Sequence, residues 1–138
     1  MPSFLVEGRH PLSGSIRPAG NKNAALPCIS AALLTSAPVI LKNVPRVQDV
    51  ETLLEIIKSL GTGVEWLDEG KLRLEAAHLY STSPDPVLAA RIRASILLAG
   101  PLLARSRRVS IPPPGGDVIG RRRLDTHFLA FRGLGAEI

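Results

Sequence analysis

Apolar residues along this chain fall into two rhythms, one helical and one alternating. Leu26, Ile29 and Leu33 recur at helical spacing from Lys22-Asn23 to Thr35, and Pro38 ends that helix. Val50, Leu53, Leu54, Ile57 and Leu60 form a single stripe that starts at Gln48-Asp49, with Glu51, Glu55 and Lys58 outside it and Gly61 as the stop. From about Val87 to Leu103 the chain is nearly apolar on all sides after Arg93, which predicts one long buried helix that Pro101 kinks or shortens near its end. A last helix is expected from Asp125 to Leu134, closed by Gly135. Short strands are expected at 3–7 and 13–17 (a hairpin around Gly8 to Pro11), at 39–41, at 63–67 and 71–75 around the turn Asp68-Glu69-Gly70, and at 108–111.

These elements repeat. Leu33-Leu34, a strand at 39–41, a proline-containing loop, Asp49, a helix, Leu60-Gly61 and Val64-Glu65 are echoed by Leu102-Leu103, a strand at 109–111, a proline loop, Asp125, a helix, Leu134-Gly135 and Glu137-Ile138. The second copy stops where the first continues into its strand pair, so the chain reads as ending inside a repeat.

Composition narrows the class. With 138 residues and 45% apolar content the chain can bury a core, and the composition argues against disorder. Aromatic residues are only 4%, which argues against a stacking platform for single-stranded nucleic acid. The net charge of +5 favours anionic partners. Much of the excess sits in Arg105, Arg107, Arg108, Arg121, Arg122, Arg123 and Arg132, a grouping that reads as a ligand site. One cysteine, Cys28, cannot pair internally, which fits a reducing cytoplasm; on its helix it is expected to be a small core residue. His10, His78 and His127 do not share metal-ligand spacing with Cys28, so no metal site is expected, and His127 is expected on a helix surface or hydrogen-bonded near the loop. No secretory signal and no membrane-spanning run is visible.

The stretch most suited to chemistry is 112–127. Pro112, Pro113 and Pro114 make a stiff arm, Gly115-Gly116 frees the backbone to turn or approach a ligand closely, and Asp117 is followed by Arg121, Arg122 and Arg123. A second candidate is Lys22, behind a glycine at a helix start where free N–H groups favour an anion. Asn23 beside it is equally a candidate helix cap. Arg91 and Arg93, on a continuous helix at about 100° per residue, would lie on nearly opposite faces, with Arg91 the solvated one.

Three motifs then carry a resemblance: Gly20-Asn21-Lys22-Asn23-Ala24-Ala25-Leu26-Pro27, Ile92-Arg93-Ala94-Ser95-Ile96 and Pro114-Gly115-Gly116-Asp117-Val118-Ile119-Gly120, in that order. The chain resembles the N-terminal part of the UDP-N-acetylglucosamine 1-carboxyvinyltransferase family of enolpyruvyl transferases. That resemblance implies an α/β (α+β) fold of two inside-out barrels built from βαβαββ units, incomplete here. Residues 1–21 would supply strands to the second domain, which the missing C-terminal part completes. Residues 22–138 would form an incomplete first domain carrying the catalytic loop 112–123.

It also implies a reaction: transfer of the enolpyruvyl group of phosphoenolpyruvate to UDP-N-acetylglucosamine in the cytoplasm, opening peptidoglycan synthesis, with no cofactor, no membrane and no nucleic acid. Lys22 and Asn23 would contact the two substrates, and Arg93 would bind ligand. Arg122 would bind phosphate, within a segment Arg122, Arg123, Leu124, Asp125 and Thr126 facing the uridine nucleotide. Arg123 stands where the family commonly has proline. Asp125 is also a plain N-cap candidate. Asp117 would be the proton donor, where the family most often has the cysteine that fosfomycin alkylates, so resistance to that epoxide is expected. An enolpyruvylshikimate-phosphate synthase-like fragment and a basic non-catalytic anion-binding module are the alternatives. A fragment of this kind is expected to be inactive alone.

Overall fold

The computed structural model describes residues 3–116, 120 and 123–138. Its first helix, α1 (Lys22–Ala31), opens where Asn21 accepts a hydrogen bond from the Asn23 N–H at 2.7 Å. Gly20 is required there: a Cβ would sit 1.8 Å from the Asn43 carbonyl oxygen. A short 3-10 turn, Ala32–Leu34, ends the helix. Strand β1 (Val39–Leu41) leads to α2 (Gln48–Ser59), with Asp49 and Glu51 in its first turn and Lys58 in its last, as the helix dipole favours. Strands β2 (Gly63–Asp68) and β3 (Lys71–Glu75) follow as an antiparallel hairpin.

The sheet order is β1-β3-β2, with β1 and β2 each antiparallel to β3. Its alternation decides the layers. Leu72 and Leu74 point into the core, while Arg73 on the opposite face pairs with Glu75 and, at 3.9 Å, with Glu65. The helices cover the Leu72–Leu74 face. Val50, Leu53, Leu54, Ile57 and Leu60 are all buried there, as the stripe predicts, together with Ile29 and Leu33 of the α1 region. This is a two-layer α/β arrangement with an open three-stranded sheet.

Both repeated helices end alike. After α2, the Gly61 N–H donates to Lys58 O and the Thr62 N–H to Ile57 O; after α5 (Asp125–Gly133), the Gly135 N–H donates to Arg132 O and the Ala136 N–H to Phe131 O. Gly61 and Gly135 have φ of +105° and +89°, the left-handed conformation this closure needs. The repeat is therefore real at the helix ends, although 137–138 forms no strand.

The expected long helix over 87–103 is three pieces: α3 (Pro86–Ala89), a 3-10 segment Arg93–Leu98, and α4 (Ala99–Ser106). The break lies at 90–92, where Ile92 is extended (φ −134°, ψ 143°). Buried Ser95 stabilises it: Oγ is 3.1 Å from Ala89 O and 3.0 Å from Ile92 O, so one hydroxyl proton serves carbonyls that a continuous helix would satisfy. Ala89 before the break, Ile92 within it, and Ile96, Leu98 and Leu102 after it are all buried, so apolar content alone could not reveal it. Pro101 neither kinks nor shortens α4; it lies in the first turn, where its missing N–H has no helical role.

Other expectations fail for equally local reasons. Residues 3–20 form no hairpin: Phe4, Leu5, Val6, Leu12 and Ile16 are exposed, with no apolar surface to cover them among the described residues. Residues 108–111 form no strand. Ser110 N–H donates once, to Thr82 O, and the prolines from Pro112 onward have no N–H to extend a ladder. Cys28 is exposed, not a core residue, because Ala25, Leu26 and Ile29 take the inward face of α1. No described helix is long and apolar enough to cross a membrane.

Candidate active site

Two helix N-termini and the break at 90–92 converge on one cleft of about 430 Å³, lined by Lys22, Asn23, Asp49, Arg91, Arg93 and Gly116 among others. Each arrives for a local reason. The Asn21 cap makes Lys22 and Asn23 the first two residues of α1, so the cap alternative for Asn23 falls: Asn21 does that work. Asp49 is in the first turn of α2 and holds the Lys22 ammonium at 2.5 Å (Nζ to Oδ2). Pro27, inside α1, has no N–H to return to the Asn23 carbonyl, leaving that oxygen without its usual helical donor.

The break supplies the arginines. A continuous helix would put Arg91 and Arg93 on nearly opposite faces; the extended Ile92 between them removes that geometry, and both line the cleft. Arg91 is exposed, as expected of a solvated residue, but not because it points away from Arg93. Arg93 is half-buried.

The proline–glycine loop docks on the same break. The Gly115 N–H donates to Ala89 O at 3.3 Å, and a Cβ on Gly115 would lie 1.6 Å from Ala90 O. Gly116 turns with φ +87° directly over Arg93, where a Cβ would meet the Arg93 nitrogen at 3.0 Å. The close approach the glycines permit is thus to the protein's own backbone.

Of the residues singled out in the sequence, Lys22, Asn23 and Arg93 share this cleft. Asp117 and Arg122 lie outside the described residues. Arg123, Leu124, Asp125 and Thr126 do not line the cleft; they stand at the start of α5, where Arg123 Nε donates to the Asp125 carboxylate. Asp125 is the first helical residue, and the N-cap position is Leu124, whose side chain makes no capping bond.

Arg121, like Arg122, lies outside the described residues, and the remaining described arginines do not gather into one site. Arg105 is a structural tie, with Nη1 at 2.9, 3.1 and 2.8 Å from the carbonyls of Leu33, Thr35 and Ala76. Arg132 reaches Ile138 O, and Arg107 and Arg108 border a separate apolar groove with Phe128 and Phe131. Asp49 and Arg91 are the cleft residues that sequence reasoning missed. Asp49 looked like a helix start only, and no periodicity signals a break before Arg93.

A cleft with three cations, one of them already paired with a carboxylate, beside two helix N-termini and a glycine loop has the charge and donors to accept a small anion. The family model of EPSP synthase (3-phosphoshikimate 1-carboxyvinyltransferase) matches residues 6–138. The chain belongs to this family. A UDP-N-acetylglucosamine 1-carboxyvinyltransferase from Bradyrhizobium diazoefficiens is 61% identical over 135 residues, covering 98% of this chain and 31% of that protein. One from Treponema pallidum is 54% identical over 138 residues, covering 100% and 32%. The chain spans about a third of the length of these curated relatives. Among solved structures, the enolpyruvyl transferase NikO from Streptomyces tendae is similar with a TM-score of 0.62 and 27% identity, over 69% of this chain and 22% of that one. The family likeness thus extends to the fold over 69% of this chain, whose described residues form helices packed on one open three-stranded sheet.

Proposed function

We propose that the chain is the phosphoenolpyruvate-binding part of an enolpyruvyl transferase that uses UDP-N-acetylglucosamine as acceptor. The observation that carries this is the meeting of Lys22, Asn23 and Arg93 with the Gly115-Gly116 loop in one cleft. The 61% identity to a relative of that name supports the choice of acceptor. In this reading the cleft cations neutralise the phosphate and carboxylate of phosphoenolpyruvate. A base takes the proton of the sugar hydroxyl as its oxygen bonds to C2, and Asp117 gives a proton to the methylene carbon. Loss of phosphate and of one methyl proton then restores the double bond and leaves the enol ether.

Arg122 binds phosphate in this reading, and Arg123 to Thr126 face the nucleotide. Residues 1–21 contribute strands to a second domain and 22–138 to the first, each an inside-out barrel completed by the remainder of a longer chain. The enzyme works in the cytoplasm at the opening of peptidoglycan synthesis, without a cofactor. The 138 residues alone are inactive, since the base and part of the substrate site lie in that remainder.

The test is a chimera in which this chain replaces the matching third of the Bradyrhizobium relative. It is expected to release phosphate from phosphoenolpyruvate with UDP-N-acetylglucosamine and not with shikimate 3-phosphate, while the 138-residue chain alone releases none. Turnover with shikimate 3-phosphate would move the assignment to the other branch of the family. Saturable binding of RNA by the chain, with no transfer by the chimera, would replace the enzyme reading by a basic binding module.

A further inference from the structure

We propose that Arg91 is the capture cation of the cleft, setting how fast and how tightly an anionic ligand is drawn in while taking no part in the chemistry. This rests on the anion-binding reading above. The three cations of the cleft differ in what they already hold. Lys22 is neutralised by Asp49 at 2.5 Å. Arg93 is half-buried at the break and engaged in an interaction of its own. Arg91 is exposed at the mouth, and its guanidinium makes no ion pair or side-chain hydrogen bond with any described residue.

An uncompensated charge at the rim of a concave, cationic site acts at a distance, through the field that meets an approaching anion, and salt screens it. A partly buried charge in contact with the ligand is screened much less. The backbone under Arg91 is also fixed: its N–H donates to Leu88 O at 3.0 Å, and Ser95 and Gly115 hold the carbonyl of Ala89 two residues before it. The guanidinium therefore swings on a firm base, at the position the interrupted helix turns into the cleft.

The experiment titrates the 138-residue chain with phosphoenolpyruvate and with inorganic phosphate by calorimetry, at about 20 mM and about 0.5 M salt. Arg91→Ala should weaken binding of both about 3- to 10-fold at low salt and less than 2-fold at high salt, flattening the salt dependence. Arg91→Lys should restore most of the loss, because a long-range field needs the charge and not the planar fork. Lys58→Ala, which removes the same net charge from the exposed last turn of α2, is the control and should change little. Arg93→Ala should weaken binding at both salt concentrations.

An Arg91→Ala titration matching Lys58→Ala, or a loss that persists at high salt and resists Arg91→Lys, would overturn the proposal. So would absence of saturable phosphate binding by the unaltered chain. The enolpyruvyl reading fails separately, when phosphate binds with the Arg91 dependence intact but phosphoenolpyruvate is not preferred to phosphate and the chimera transfers nothing.

Discussion

Gly115 and Gly100 differ in what surrounds them, and that difference is testable. A Cβ at Gly115 would meet Ala90 O at 1.6 Å, a backbone atom that cannot swing aside, whereas nothing lies within 4 Å of a Cβ at Gly100. Gly115→Ala should push the loop off the break, and hydrogen exchange should then show the residue 115 amide unprotected while α2 amides keep their protection. Gly100→Ala, in the first turn of α4, should stabilise by up to about 1 kcal/mol in chemical denaturation, since alanine is the better helix former.

At Asp117 the prediction is chemical. An ordinary carboxyl titrates near pH ~4 and a thiol near ~8.5, so a thiol stays protonated to higher pH as a general acid. In the chimera, Asp117→Cys should keep turnover, shift the pH optimum upward and confer inactivation by fosfomycin, because a thiolate opens an epoxide far more readily than a carboxylate does. Full turnover in Asp117→Asn would mean that another group donates the proton. The helix start at Lys22 and Asn23 was legible in the sequence because a proline–glycine breaker precedes it, although the cap is Asn21 and not Asn23. Arg91 was not, because its place depends on Ser95 and Gly115 competing for carbonyls that propensity assigns to a helix.

Elements were legible wherever one face is buried and the ends carry glycine. The α2 stripe, the β2–β3 hairpin and the start of α1 follow that rule. Elements that rely on long-range polar ties did not. Arg105 shows why: from sequence it looks like one more cation of a basic cluster, yet its guanidinium gathers carbonyls from the end of the α1 segment and from the chain leaving β3. Nη1 alone meets these three carbonyls and Nη2 adds Ala77 O at 3.5 Å, whereas a lysine ends one bond short of Nη1 and has no second nitrogen. Arg105→Ala should therefore cost about 2–4 kcal/mol in urea unfolding, with Arg105→Lys recovering less than half. A loss under about 0.5 kcal/mol would mean that water replaces the arginine at those carbonyls. The same dependence on distant partners explains residues 108–111. Their alternation is real, with Val109 and Ile111 packed against the core and Arg108 and Ser110 exposed, but only one backbone hydrogen bond is available to make a strand of them.

At the scale of the molecule, the core and the surface tell different stories. The α1, α2 and β3 side chains close a buried cluster that includes Leu98 and Leu102 from the far side of the break, while α5 contributes no buried residue and residues 3–19 contribute none. Phe4, Leu5, Leu12 and Ile16 are each at least 90% exposed, and the sheet order leaves both β1 and β2 as edges. Apolar side chains and open strand edges on one small chain favour self-association. The two sources can be separated, because the structured part begins at Gly20 and Asn21, which pack on Asn43 and cap α1 without help from the residues before them. Deleting residues 1–17 should leave the unfolding free energy within about 0.5 kcal/mol of the whole chain, since no described side chain of that stretch is buried. It should also lower the weight-average mass seen by sedimentation at high protein concentration. Unchanged association after the deletion would assign it to the sheet edges or to the groove beside Phe128 and Phe131. A large loss of stability would show that the N-terminal stretch packs on the core in solution, and would count against its proposed role as strands reserved for a second domain.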